Sequence, residues 1–182
     1  MTENMTRSAR ANADITNLLR SRHTLLWVTT REEQRVERAI TTAAAAAKMT
    51  TAFWDCATGV TVPNAQYPEM RDPQRAVQWL REQSGRVVLV MRDLHRWLDP
   101  LTTRCLRSAQ REMAALPPNV SRAIILLTPA AEIPPELAAC ATVLEYPLPE
   151  RTEMAQLLDE VVAALPDEMR EQAAPNGARD VG

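Results

Sequence analysis

Val87 to Met91 is an unbroken run of five apolar side chains, VVLVM. A strand with one face in water alternates apolar and polar residues, so a run like this one belongs to a strand covered on both faces. It is far too short to cross a membrane, which takes about 18 apolar residues or more. The chain must therefore build a sheet with helices packed above and below it. Leu25–Thr29 (LLWVT) and Ala123–Leu127 (AIILL) have the same character, and Thr51–Trp54 and Thr142–Leu144 are shorter versions.

Between these runs the apolar period changes from continuous to helical. Val36, Ala39, Ile40, Ala43, Ala44 and Ala47 recur on one helical face. Asp72-Pro73 and Asp99-Pro100 each place an N-cap before a proline at the first helical position. The first opens a helix bearing Ala76, Val77 and Leu80; the second opens one bearing Leu101, Cys105, Ala109 and Met113. Ile15, Leu18 and Leu19 predict an earlier short helix ending near Arg22. Met154, Leu157, Leu158, Val161, Val162 and Leu165 predict a last helix with a core-facing stripe. The stretch from Gly59 to Arg71, with Pro63 and Pro68, reads as irregular. Strand–helix alternation of this kind predicts right-handed crossovers in a three-layer α/β domain with a mostly parallel five-stranded sheet. The expected organisation is a flexible N-terminus over 1–10, one domain over 11–172, and a tail or shortened linker over 173–182.

Composition then narrows the chemistry. The chain has four glycines (Gly59, Gly85, Gly177, Gly182), twenty arginines and one lysine, Lys48. A phosphate loop of the form G-x-x-x-x-G-K-[ST] needs two glycines and a lysine in one short stretch, and no such stretch exists. The same counts exclude G-x-G-x-x-G. Cys56, Cys105 and Cys140 are widely spaced, with only His23 and His95 to assist, so no metal site is expected. Buried apolar fillers in a reducing, cytoplasmic setting suit them. A net charge of -2 offers no broad basic field for nucleic acid, and no membrane segment is present in the pattern.

In open parallel sheets, ligands bind beyond the carboxyl ends of the strands. The polar residues placed there are Thr30, Asp55, Asp93, His95 and Thr128, which form the candidate crevice. Asp93 could hold a metal ion and His95 could act as a base. Polar residues at strand ends also serve simply as caps and loop starts. The first strand–helix junction, Thr29-Thr30-Arg31-Glu32-Glu33, is poor for phosphate because its carboxylates sit at a helix N-terminus. The four tryptophans read as core or interface, and the Arg104, Arg107, Arg111 stripe as a solvated or partner-binding face.

Several strings in this order are similar to a known family. Val87–Asp93 (VVLVMRD) resembles the Walker B strand of P-loop NTPases, and Ala123–Thr128 (AIILLT) takes the place of the sensor-1 strand. Thr142–Leu158 (TVLEYPLPERTEMAQLL) resembles the AAA+ segment in which a short strand ends in a PLP turn. RSRHTLLWVTTREEQRVERAI (Arg20–Ile40), FWDCATG (Phe53–Gly59) and RDLHRWLD (Arg92–Asp99) are similar to the degenerate N-terminal AAA-like module of an AAA+ ATPase family. That family is encoded in cyanobacterial, chloroplast and other bacterial genomes, and the resemblance covers roughly residues 12 to 180.

The resemblance implies a P-loop NTPase-like, AAA+-like fold, with ATP and Mg²⁺ belonging to a separate downstream module. It also exposes departures. The Walker A place holds Thr29–Glu33, Asp93 is followed by Leu94 where a catalytic glutamate would stand, and Thr128 replaces the sensor-1 asparagine. The expectation is a non-catalytic, cytoplasmic module without a cofactor, partnered by an AAA+ ATPase module or by itself as a homo-oligomer, and by neither nucleic acid nor membrane. The alternatives are a small-ligand or nucleotide sensor at the sheet's carboxyl edge, or an atypical metal-dependent phosphohydrolase using Asp93 and His95.

Overall fold

The structure, a computed structural model, describes residues 5–129 and 132–164. These divide into two compact units, Ser8–Leu148 and a smaller one combining residues 5–7 with 149–164. The boundary between the two units falls after Leu148. Prolines at 147 and 149 explain its position, since neither can extend a strand or continue a helix. The expected tail over 173–182 lies outside the described residues.

Helix α1 spans Arg7–Arg20 and buries Ser8, Ala11, Ile15 and Leu19. It begins inside the segment expected to be flexible, because small residues on its first turns pack closely while adding little hydropathy. The other helices are α2 (Glu33–Ala46), α3 (Pro73–Glu82), α4 (Pro100–Ala114), the short α5 (Pro135–Ala138) and α6 (Arg151–Ala164). Both Asp-Pro caps form as expected: Asp72 accepts from the Arg75 amide at 2.9 Å and Asp99 from the Thr102 amide at 2.6 Å.

Seven strands make one sheet: β1 (Leu25–Thr29), β2 (Thr50–Asp55), β3 (Gly59–Val62), β4 (Ala65–Tyr67), β5 (Val87–Arg92), β6 (Arg122–Thr128) and β7 (Thr142–Glu145). Their order is β4-β3-β2-β5-β6-β1-β7. The five expected strands are parallel, and β3–β4 adds an antiparallel hairpin beside β2. The hairpin corrects the reading of Gly59–Arg71 as irregular. Its strands are short, GVTV and AQY, and only Gly59 and Val60 are buried, so the alternation of Val60, Thr61 and Val62 is too brief to stand out among the prolines around it.

Alternate residues of the strands feed two cores. Leu25, Trp27, Leu89, Met91, Ile124 and Leu126 pack with α3, α4 and α5. Leu26, Val28, Val88, Val90, Ile125 and Leu127 pack with α1 and α2 on the other face. Burying each such side chain stabilises the fold by about 1.5–3 kcal/mol, which is why β1, β5 and β6 are apolar throughout.

Two expected faces are corrected. On α4 the buried positions are Thr102, Leu106, Ala109 and Met113, while Leu101 is 61% exposed and Cys105 half-buried. Ala109 and Met113 are buried as expected; in the first two turns the buried residue is the next one along, Thr102 and Leu106. On α6, Met154 and Leu158 are 52% and 63% exposed and Val162 is half-buried, so these members of the stripe are not core. Leu165 lies outside the described residues.

Candidate functional site

The chain leaves β1 for β2 on one side of the sheet and returns last to β7 on the other. The order reverses at β1, and a crevice beyond its carboxyl end is the place such sheets offer to ligands. A cleft of about 240 Å³ lies there, lined by Thr30, Arg31, Glu33, Asp93 and Thr128 among others. Three of the five expected crevice residues, Thr30, Asp93 and Thr128, therefore meet.

The junction that opens the crevice is short and closed on itself. Only Thr30, Arg31 and Glu32 separate β1 from α2. The Thr30 amide donates to the Thr128 carbonyl at 2.9 Å, and the Thr30 hydroxyl accepts from the Glu32 amide at 3.0 Å. Arg35 then pairs with Glu32 at 2.6 Å, donates to Ser8 Oγ at 2.9 Å and to the Pro147 carbonyl, and stacks 4.9 Å from the Tyr146 ring centroid. One guanidinium thus ties the start of α2 to α1 and to the turn after β7.

Glu33 stands at the first turn of α2. Burial raises its pKa above the ordinary glutamate value, and Glu37, Asp93 and Asp55 add to the rise against the opposing charge of Arg92. A helix N-terminus usually favours a carboxylate, so the upward direction means that burial, helped by the neighbouring carboxylates, outweighs that preference here.

Asp93 follows β5 with a φ of +50°, in the left-handed region that aspartate tolerates better than most residues. Its amide donates to the Leu127 carbonyl at 2.9 Å, while its side chain is 59% exposed. His95 Nδ1 lies 3.0 Å from the Thr128 hydroxyl and 3.9 Å from Asp93 Oδ1. His95 is therefore engaged with the end of β6, beside the cleft. Among the described residues no group of three or more His, Cys, Asp or Glu is placed to hold a metal ion.

Asp55 is not part of this cleft. It accepts from the Ala57 amide at 2.9 Å, the Thr58 amide at 2.7 Å and the Thr58 hydroxyl at 2.6 Å, closing the turn into β3. Burial pushes its pKa up, but those donors and Arg92 together hold it below the ordinary aspartate value. Arg92 stands at the same strand edge, and its role there is to pair carboxylates. At the end of β5 it pairs with Glu37 of α2 and with Asp55 of β2, the latter at 3.2 Å, and lies 4.9 Å from the Phe53 ring centroid. The Glu37 hydrogen bond leads the causes that raise its pKa. No spacing rule connects positions 37, 55 and 92; only the pairing of β2 with β5 brings them together.

Trp27, Trp54 and Trp79 are buried, whereas Trp97 is 48% exposed. Cys56 is exposed in the β2–β3 turn, which corrects the expectation that all three cysteines are fillers. Arg104 and Arg111 are exposed and Arg107 half-buried along α4.

The family model of the SpoVK-like AAA ATPase N-terminal domain matches residues 11–146. This chain belongs to that family. The uncharacterized AAA domain-containing protein ycf46 of Guillardia theta is 25% identical over 168 residues, covering 90% of this chain and 32% of its own length. Its counterpart in Trieres chinensis is 28% identical over 159 residues, covering 85% and 31%. The SpoVK-like domain thus spans about a third of the curated relatives it matches. A chain of the E. coli MS115-1 HORMA:CdnC:Trip13 complex shares the fold, with a TM-score of 0.52 at 14% identity over 93% of this chain and 64% of that one. The expected AAA-like α/β architecture is therefore found, with two more strands than expected. Among the described residues of this SpoVK-like domain, no helix is long and apolar enough to cross a membrane.

Proposed function

We propose that this chain is a non-catalytic AAA-type module that acts by docking within or beside an active AAA+ ATPase. The observation that carries the reading is the β1–α2 junction. A phosphate loop presents free backbone amides at a helix N-terminus. Here the connection is three residues long, the Glu32 amide is taken by Thr30, and Glu33 faces the same space. Arg92, the cation nearest in sequence to Asp93 on β5, is committed to Glu37 and Asp55. These residues do not fit ATP with Mg²⁺.

The test is a thermal-shift titration of the purified chain with ATP and Mg²⁺. A ligand at 100 times its Kd adds about 2.7 kcal/mol to stability, so micromolar binding gives a clear rise in Tm at millimolar ATP. The expected result is no rise. A rise lost in Asp93→Ala overturns the reading and favours a nucleotide sensor in the cleft beside Thr30 and Thr128.

A further inference from the structure

The two edges of the sheet differ in charge. The connections that enter the parallel strands, 21–24, 47–49, 83–86, 115–121 and 139–141, contain no aspartate or glutamate. They carry Arg22, Lys48 and Arg86, while Arg20 closes α1 and Arg122 opens β6. The last turns of α3 and α4 hold Glu82 and Glu112, of which Glu112 is paired with Arg81 at 2.8 Å. At the carboxyl edge stand Glu33, Asp55 and Asp93 instead. A chain with a net charge of -2 therefore has one basic end.

Part of that end serves the fold. Crossover helices bring their C-termini to the amino edge of the sheet, where free carbonyls favour cations. Arg20 donates to the Ala46 carbonyl at 3.2 Å, Arg22 to that of Leu116, and Arg122 to those of Gln83 and, at 2.9 Å, Arg81. A carbonyl is a neutral acceptor, so each guanidinium keeps its charge. Lys48 and Arg86 do not cap in this way. Among the described residues neither side chain has a hydrogen-bond or ion-pair partner, and Nε of Arg86 is buried without an acceptor. The main chain holds these cations near one another: Lys48 follows the carbonyl that binds Arg20 by two residues, and the Thr50 amide donates to the Arg86 carbonyl at 2.9 Å.

We propose that the amino edge of the sheet, around Arg20, Lys48 and Arg86, binds an acidic segment of a partner protein. Guanidinium and ammonium groups form charge-assisted hydrogen bonds with carboxylates, and Arg86, being half-buried, is less screened than a surface cation. A nucleic-acid strand fits less well. Among the described residues the exposed aromatic side chain, Trp97, follows β5 at the opposite edge, so bases find no stacking surface here. A short run of carboxylates meets the basic end alone, whereas a long polyphosphate runs on to the acidic remainder. The proposal deepens the docking role stated above and rests on it, adding the face used and the charge of the partner.

Fluorescence anisotropy of labelled octaglutamate with the whole chain tests it, at about 50 and then about 200 mM salt. Binding at the lower salt, weakened at the higher, is expected. R20E/K48E and R86Q are each expected to bind at least threefold more weakly than the wild type. R96E/R104E makes the same charge change as the first variant at the opposite edge, and is expected to bind as the wild type does. Arg20, Lys48, Arg96 and Arg104 are exposed, and circular dichroism verifies that every variant keeps the fold. No binding at the lower salt, losses no greater than in R96E/R104E, or tighter binding of octauridylate than of octaglutamate overturns the proposal. The nucleotide titration reads the other edge of the sheet, so the acidic partner and the non-catalytic reading fail separately.

Discussion

Arg92 at the end of β5 reaches Asp55 at the end of β2 with 3.2 Å between Nη1 and Oδ2, while its Nε holds Glu37 of α2. One cation thereby joins two neighbouring strands and the helix that covers them, at the carboxyl edge of the sheet. Its side chain is 25% exposed, between the regimes of surface and buried pairs. Removing it leaves Glu37, Asp55 and Glu33 facing one another.

Arg92→Ala is expected to lower stability by about 2 kcal/mol, more than an exposed pair yields and less than a fully buried one. Arg92→Lys recovers only part of this, because a point charge cannot serve two carboxylates in the fork geometry of a guanidinium. Urea unfolding of the three proteins at neutral pH reads the difference; equal midpoints for all three would remove the network from the account.

Asp55 predicts a specific acid sensitivity. Its pKa in the folded chain is depressed, so its contribution to stability is complete above the ordinary aspartate value of about 3.9. That contribution is lost as pH falls through the depressed value. Asp55→Asn is less stable at neutral pH, and its gap to the wild type closes as pH drops below about 4. Urea midpoints measured from pH 7 to pH 3 check both the gap and its closure.

The parts of the fold legible in sequence are those where burial alone decides. Leu25–Thr29, Val87–Met91 and Ala123–Leu127 read as buried strands and are buried strands, since no other element is apolar on every side over so short a run. The caps at Asp72 and Asp99 were legible because their hydrogen bonds are local in sequence. What was not legible depends on tertiary pairing. Gln66 and Thr61 become strand residues only because β3 can lie along β2, and Asp55 becomes a turn acceptor and a partner of Arg92. The crevice was therefore half visible: Thr30, Asp93 and Thr128 meet because parallel strands end at one edge, while Asp55, from the same edge, is drawn into the hairpin turn.

Gly59 begins that hairpin with a φ of +78°, and a Cβ placed on it would stand 2.2 Å from the Tyr67 carbonyl oxygen. Gly59→Ala thus meets both a left-handed backbone and a wall of main chain. The expected cost is about 2 kcal/mol or more, with the β3–β4 pairing lost first. Hydrogen exchange of the amides in β3 and β4 should accelerate while those of β5 and β6 stay protected. Unchanged exchange in the hairpin would contradict the geometry.

The cysteines separate by exposure. Cys56 is exposed in its turn, whereas Cys105 is half-buried against the core and burial pushes its thiol pKa up. Maleimide labelling of the native chain at pH 7 is expected to modify Cys56 first, with Cys105 reacting slowly because both its access and its thiolate fraction are reduced. Mass mapping of the first labelled site checks the order, and Cys105 labelling ahead of Cys56 would refute it.

Glu33 carries the last prediction, which connects stability to the absence of a phosphate site. Its folded pKa is raised, by burial first and then by Glu37, with Asp93 and Asp55 adding to the rise. A carboxyl with a raised folded pKa lowers stability at pH values above it, and that cost disappears as pH falls and the group takes up a proton. Glu33→Gln keeps the shape of the side chain and removes the charge. The helix dipole alone would make this substitution unfavourable, since it favours an anion in the first turn by about 0.3–1 kcal/mol. The raised pKa says that burial first, with the surrounding carboxylates, outweighs the dipole. Glu33→Gln is therefore expected to be slightly more stable than the wild type at pH 7, by at most about 0.5 kcal/mol, with the gain shrinking as pH is lowered. A loss of stability at pH 7 would mean that α2 still attracts anions at its N-terminus, so that electrostatics there would not oppose a phosphate.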